Sequence, residues 1–143
     1  MILKTLFLGT ALLGLVAVRP SIAQEQQDQT KQEYISTAKQ EVVLRDELIA
    51  FPGKEAHILR VEFPAGWVGE RHYHTGDVFV YVVEGEFVVD IEGEGRQRFG
   101  PGEVYHEAVN TVMQARNPST EVATKVILFQ VGEKEEPLMI LAE

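Results

Sequence analysis

The chain has 143 residues, 22 of them acidic and 13 basic, for a formal net charge of −9, and it contains no cysteine. This length holds one compact domain with a real core and has no room for a second. The acidic balance makes nucleic acid a poor partner, and the lack of cysteine excludes a disulfide framework, so packing must supply the stability.

The first element is a secretory signal peptide, residues 1–23. Met1 to Lys4 is a short basic start, residues 6–18 are apolar apart from small residues and Thr10, and Ser21 and Ala23 are small where a signal peptidase reads. The apolar stretch is too short to span a bilayer comfortably. Cleavage after Ala23 would leave 120 residues at net charge −11, because Lys4 and Arg19 depart and no acid does. The expected location is the periplasm or the exterior, with no membrane association after cleavage. Residues 24–40, QEQQDQTKQEYISTAKQ, are Gln-rich with little apolar periodicity and read as a flexible polar arm.

From Glu41 to the end, residues 41–143, the texture is that of a β domain. Short runs of Val, Ile and Phe alternate with turn signals such as Pro64-Ala65-Gly66, Thr75-Gly76-Asp77, Glu84-Gly85 and Gly100-Pro101-Gly102. In the first run His57, Leu59, Val61 and Phe63 share one face, and Ile58, Arg60 and Glu62 the other. His57 among apolar neighbours reads as a satisfied histidine rather than a ligand. The run from Val78 to Val83 is apolar on both faces, as in a strand covered on both sides. Phe87, Val89 and Ile91 alternate with Val88, Asp90 and Glu92, and a turn returns the chain through Arg96 to Phe99. Val126 to Val131 forms the last strong strand, and residues 137–141 a short edge strand. With no long helical pattern, the sequence predicts an all-β barrel or sandwich.

The chemistry lies in Arg71 to Phe87, RHYHTGDVFVYVVEGEF. Residues i and i+2 of a strand point the same way about 7 Å apart, so His72 and His74 form a two-nitrogen pincer if their face is the interior. Neutral imidazole suits iron, zinc, nickel or copper, whereas calcium and magnesium prefer oxygen.

These residues resemble the first motif of the cupin superfamily, in its small single-domain, quercetin-dioxygenase-like form: Gly, five residues, His-x-His, a Glu, six residues, Gly. Gly66, His72, His74 and Gly85 stand in place, but Val78 occupies the Glu position, and Asp77 beside it faces the other way on a regular strand. For the second motif two registers compete. One places Gly95, Pro101, His106 and Asn110 on it; the other starts at Gly102-Glu103 and puts Met113 at the histidine position and Asn117 at the asparagine position. The second is preferred, because it leaves the hairpin 87–99 intact and sets the Asn-Pro turn after the strand.

The resemblance implies a double-stranded β-helix, or jelly-roll barrel, around a divalent transition metal (Fe, Zn, Ni, Cu or Mn). With Val78 and Met113 apolar, His106 is the expected third ligand, on a strand whose inward face would carry Val104, His106 and Ala108. Met113 reads as core, Tyr81 and Tyr105 are expected to point away from the cavity, and Glu107 and Glu70 are the candidate general bases. The activity implied is that of a metal-dependent, dioxygenase-like oxidoreductase acting on a small organic molecule; the alternative is a non-catalytic cupin binding a small ligand or metal in the periplasm. The resemblance also implies a homodimer paired through its sheets, toward which Val42, Leu44, Val126 and Leu128 offer apolar faces.

Overall fold

The computed structural model describes residues 31–143; the expected signal peptide, 1–23, and the first part of the arm, 24–30, lie outside them. The described chain is all strand and turn: β1 (Lys39–Glu47), β2 (Lys54–Phe63), β3 (His72–His74), β4 (Asp77–Glu84), β5 (Phe87–Ile91), β6 (Gly95–Phe99), β7 (Val104–Glu107), β8 (Met113–Arg116), β9 (Thr124–Glu133) and β10 (Met139–Leu141). These pair antiparallel into two five-stranded sheets, ordered β1-β2-β9-β4-β7 and β10-β3-β8-β5-β6, which form a jelly-roll double-stranded β-helix.

Period-2 alternation sets the core. From the first sheet Leu59, Val61 and Phe63 of β2, Val78, Val80 and Val82 of β4 and Val126 of β9 are buried inward, facing Phe87, Val89, Ile91, Met113 and Ala115 of the second. Gly85 makes the tight turn between β4 and β5. Its φ of +78° is one that residues with a Cβ rarely adopt, and a Cβ there would come within 2.9 Å of Ala123 and Thr124.

The second-motif register that starts at Gly102 is the one the fold uses. β6 remains the partner of β5, with Phe87 opposite Phe99 and Ile91 opposite Gly95, while Met113 opens β8 directly opposite His72. Asn117, almost fully buried, closes that strand. Its Nδ2 lies within hydrogen-bonding distance of the carbonyls of Phe63, Pro64 and Val122, and its Oδ1 accepts from the Ser119 N–H.

Three expectations fail here. Residues 31–40 are not a loose arm but a strap along the barrel. Tyr34 and Ala38 are buried, the Tyr34 N–H donates to the Met139 carbonyl, and the Leu141 N–H donates to Gln32. Tyr105 points inward against Phe99 and Phe87. Val126 is buried within and Leu128 packs against the core, so neither offers a dimer face; the outer face of β9 carries Ile127 and Phe129 instead.

Candidate metal and ligand site inside the barrel

β3 is only three residues long, yet it is held on both sides. His74 pairs with Met139 and His72 with Leu141 of β10, and Met113 of β8 stands opposite His72. Both histidines are consequently buried, at 5% and 2% exposure, with their rings 5.2 Å apart and nearly perpendicular.

Hydrogen bonds decide which nitrogen of each ring is available. His72 Nδ1 lies 2.8 Å from the Glu70 carbonyl. His74 Nδ1 lies 3.2 Å from the Leu138 carbonyl and 3.1 Å from Gln130 Oε1, and Gln130 itself donates to Leu138. A carbonyl can only accept, so the proton of each neutral ring belongs on Nδ1 and the lone pair on Nε2. Such bonding at Nδ1 is how metal-binding histidines are oriented. Burial, reinforced by the neighbouring His74, holds the His72 imidazole below its ordinary pKa and so favours the neutral form.

The lone pair of His74 meets a carboxylate. Its Nε2 lies 2.9 Å from Oε2 of Glu107, itself buried at 3% exposure. That distance would suit a hydrogen bond, but the alignment does not, and Oε2 is left as a buried oxygen with no donor. Two acceptors in contact are costly unless something positive lies between or beside them.

Glu107 owes its position to strand register. It lies directly opposite Val78 on β4, and Val78 lies opposite Gln130 on β9. Gln130, Val78 and Glu107 thus form one inward-facing row across three strands. The carboxylate missing at position 78 is supplied at the same level by the next strand.

The other candidates fall elsewhere. His106 is not the third imidazole: it lies opposite Phe79 on the outer face, stacked on that ring at 4.6 Å and 3.0 Å from Asp77 Oδ1, with its side chain half exposed. Since Glu107 points in, its neighbours His106 and Ala108 must point out, and Val104 with them. The Glu70 carboxylate is on the exposed surface, and only its backbone carbonyl serves the site. Met113 is core, fully buried. His57 is satisfied by Glu55 at 2.8 Å.

The histidines and Glu107 open on a narrow internal cavity of about 50 Å³, walled by Leu59, Val61, Phe63, Trp67, Phe87 and Leu128 among others. The Tyr34 ring of the strap sits 5.0 Å from His72. Among the described residues, no lysine or arginine lines this cavity. Also among the described residues, no three His, Cys, Asp or Glu side chains stand close enough together to hold an ion as they are.

The cupin domain family profile matches residues 59–130, just over half of the chain. This protein is a cupin. Its fold is similar to that of the DMSP lyase DddQ from Ruegeria pomeroyi DSS-3, at 21% identity and a TM-score of 0.55 over 61% of this chain and 43% of DddQ, so this cupin spans less than half of DddQ's length. It is similar too to an RmlC-like cupin from Methanocaldococcus jannaschii, at 16% identity and a TM-score of 0.52, covering 71% of this chain and 92% of that one. A cupin superfamily protein from Desulfitobacterium hafniense DCB-2 matches at 15% identity and a TM-score of 0.50, covering 65% and 79% of the two chains. Identities this low establish the shared fold alone. Among curated protein sequences, none matches this chain.

Proposed function

We propose that this cupin binds a divalent transition metal through His72, His74 and Glu107, and acts there on a small organic molecule held in the barrel. The observation that carries this reading is the contact between His74 Nε2 and the donorless Glu107 Oε2 at 2.9 Å. Two ligand atoms on one tetrahedral ion with bonds of about 2.1 Å sit about 3.4 Å apart, so this contact is somewhat shorter than a shared ion would set. Two imidazoles sharing a tetrahedral ion place their ring centres about 5 Å apart, and these two stand at 5.2 Å. The residues therefore fit the group in donor type and in the spacing of the two imidazoles. Two nitrogens and a carboxylate suit Fe, Mn, Zn or Ni better than a soft copper site.

When bound, the metal would supply a Lewis acid for an oxygen substituent of the ligand. The chain's own contribution is legible without it. The Glu70 and Leu138 carbonyls fix both ring tautomers, Gln130 bridges His74 to Leu138, and burial favours the neutral form of the His72 imidazole. The reaction type is not fixed by the fold: the resemblance points toward dioxygenases, whereas DddQ is a lyase.

A second reading has support in the same contact. A proton rather than an ion between His74 and Glu107 would make them an acid–base pair, or a non-catalytic polar anchor for a bound molecule. Metal analysis separates the two. Purified protein incubated with each metal at neutral pH should retain about one ion per chain, and His74→Ala or Glu107→Gln should each weaken retention at least ~10-fold. A wild-type protein that stays metal-free would leave only the proton-sharing reading.

We further propose export to the periplasm or exterior, resting on the leader-like residues 1–23, and a homodimer. The dimer reading is supported by an apolar row on the outer face of the first sheet, Leu44, Ile58, Phe129 and Phe79 in cross-strand register, flanked by exposed Tyr81 and Val104.

A further inference from the structure

We infer that Tyr34, on the strap, is a positioning residue for His72: it anchors the Glu70 backbone whose carbonyl holds the His72 Nδ1 proton, and so keeps the Nε2 lone pair free for the site. The inference rests on the reading above that His72 acts through Nε2, but not on the metal. Tyr34 is buried at 7% exposure and lines the cavity. Two contacts tie it to His72. Its ring packs on the imidazole at 5.0 Å, and its hydroxyl accepts a hydrogen bond from the Glu70 N–H at 3.2 Å. The carbonyl of that same residue lies 2.8 Å from His72 Nδ1. Both polar groups of the Glu70 backbone are thus taken up, one by Tyr34 and the other by His72.

Strand pairing makes this reach possible. β10 lies between the strap and β3: Glu33 bridges to Ile140, and Leu141 stands opposite His72. The Tyr34 N–H donates to the Met139 carbonyl. Glu33 and Ile35 on either side are exposed while Tyr34 is buried, so alternation turns its ring to the inner side of β10, toward the residues that lead into β3. The peptide joining Gly69 to Glu70 is then held at both ends, its carbonyl by Gln114 Nε2 at 2.8 Å and its N–H by Tyr34. Without the tyrosine hydroxyl one end comes free, and the next carbonyl along, that of Glu70, loses its fixed direction toward Nδ1. Two internal controls exist. His74 takes its orientation from Leu138 and Gln130, whose bonds to it involve no strap residue. The strap's other side-chain anchor, Thr37 Oγ1 accepting from Trp67 Nε1 at 3.0 Å, bears on no histidine.

Long-range proton–nitrogen NMR spectra of the full protein, freed of metal by chelation and held at neutral pH, report the tautomer of each imidazole. Both rings of the wild type should carry their proton on Nδ1. Tyr34→Phe keeps the ring and removes the acceptor; it should lower the ratio of Nδ1–H to Nε2–H forms about fivefold at His72, the worth of one net hydrogen bond, and leave His74 unchanged. Thr37→Val should leave both rings as they are. An unmoved ratio at His72, or a change shared by His74, overturns the inference, because a residue that only covers the cavity would spare both rings or disturb both. If Tyr34→Phe does not fold, amide exchange in the wild type decides: the Glu70 N–H should be protected, and exchange at the rate of an open loop overturns the inference. Metal retention keeps the two readings apart. Tyr34→Phe should weaken retention about fivefold as well, since the ion needs Nε2 unprotonated. A wild type that retains no metal defeats the metal proposal while the tautomer ratio still decides this one; metal retained with the ratio unmoved does the reverse.

Discussion

Replacing Asn117 by Ala should destabilise the barrel by about 2–4 kcal/mol. The side chain reaches the carbonyls of Phe63 and Pro64 at 3.1 Å each and of Val122 at 2.8 Å, while accepting from the Ser119 N–H at 3.0 Å. Two N–H bonds shared among three carbonyls amount to about two good donations, so Ala removes about three hydrogen bonds in all. A net hydrogen bond is worth about 1 kcal/mol, and a buried acceptor left without a donor costs about 1–3 kcal/mol. Pro64 and Val122 lie at exposed turns, so water can serve part of the loss and the lower half of the range applies. The backbone N–H of Asn117 also donates to the Trp67 carbonyl, which ties the anchor to the loop leading toward His72. Urea unfolding followed by Trp67 fluorescence is therefore the natural assay, with a lowered midpoint and an unchanged slope as the signature. Asn117→Asp should be at least as damaging, since it keeps the acceptor and turns a charged oxygen toward three carbonyls. A cost below about 1 kcal/mol for Ala, or a tolerated Asp, would refute the reasoning.

The acid limb of the stability curve should belong in part to Glu55, whose carboxyl is drawn down to about 2 by its hydrogen bond from Arg45, with His57 assisting and burial opposing. A lowered carboxyl pKa stabilises above the unfolded value near 4.5 and is lost as pH falls from there to about 2; with Arg45 half exposed to solvent, about 1–2 kcal/mol is at stake. Glu55→Gln should flatten stability across that window, and an unaltered slope would count against the assignment. Phe79→Arg on the outer sheet should convert the proposed dimer to a monomer in sedimentation experiments without lowering the metal content; a wild-type protein that sediments as a monomer at every concentration would remove that proposal. Gly85→Ala should cost about 1–3 kcal/mol in the same urea assay, from the positive φ and the 2.9 Å approach to Ala123 and Thr124; an unchanged midpoint would contradict it.

The fold could be read from the sequence because its signals are local. Alternation in residues 57–63 and 87–91 and glycines at 66, 85 and 102 specify strands and turns without reference to the rest of the chain. The site could be read only halfway. His72 and His74 declare themselves by spacing, but VYHEA carries apolar and polar residues on both of its faces, so its phase is undetermined locally. Choosing the phase by the histidine put His106 inside; the pairing of Glu107 with Val78, a contact between residues 29 apart in sequence, puts it outside. β9 poses the same problem, being apolar on both faces: Val126 and Leu128, expected as part of a dimer face, turn out to belong to the core. Glu107 had a signal that could have been followed: a carboxylate missing at Val78 invites a search for one on the strands beside it.

In the proposed site Glu107 stands in for the carboxylate absent at position 78 and completes the coordination of a metal with His72 and His74. Metal affinity of the wild type, Glu107→Val and the Val78→Glu/Glu107→Val double variant tests it most directly. The wild type should retain metal tightly, Glu107→Val at least ~10-fold more weakly, and the double variant should recover, its carboxylate having returned to the neighbouring strand. Equal retention by wild type and Glu107→Val, with all three folded, would contradict it.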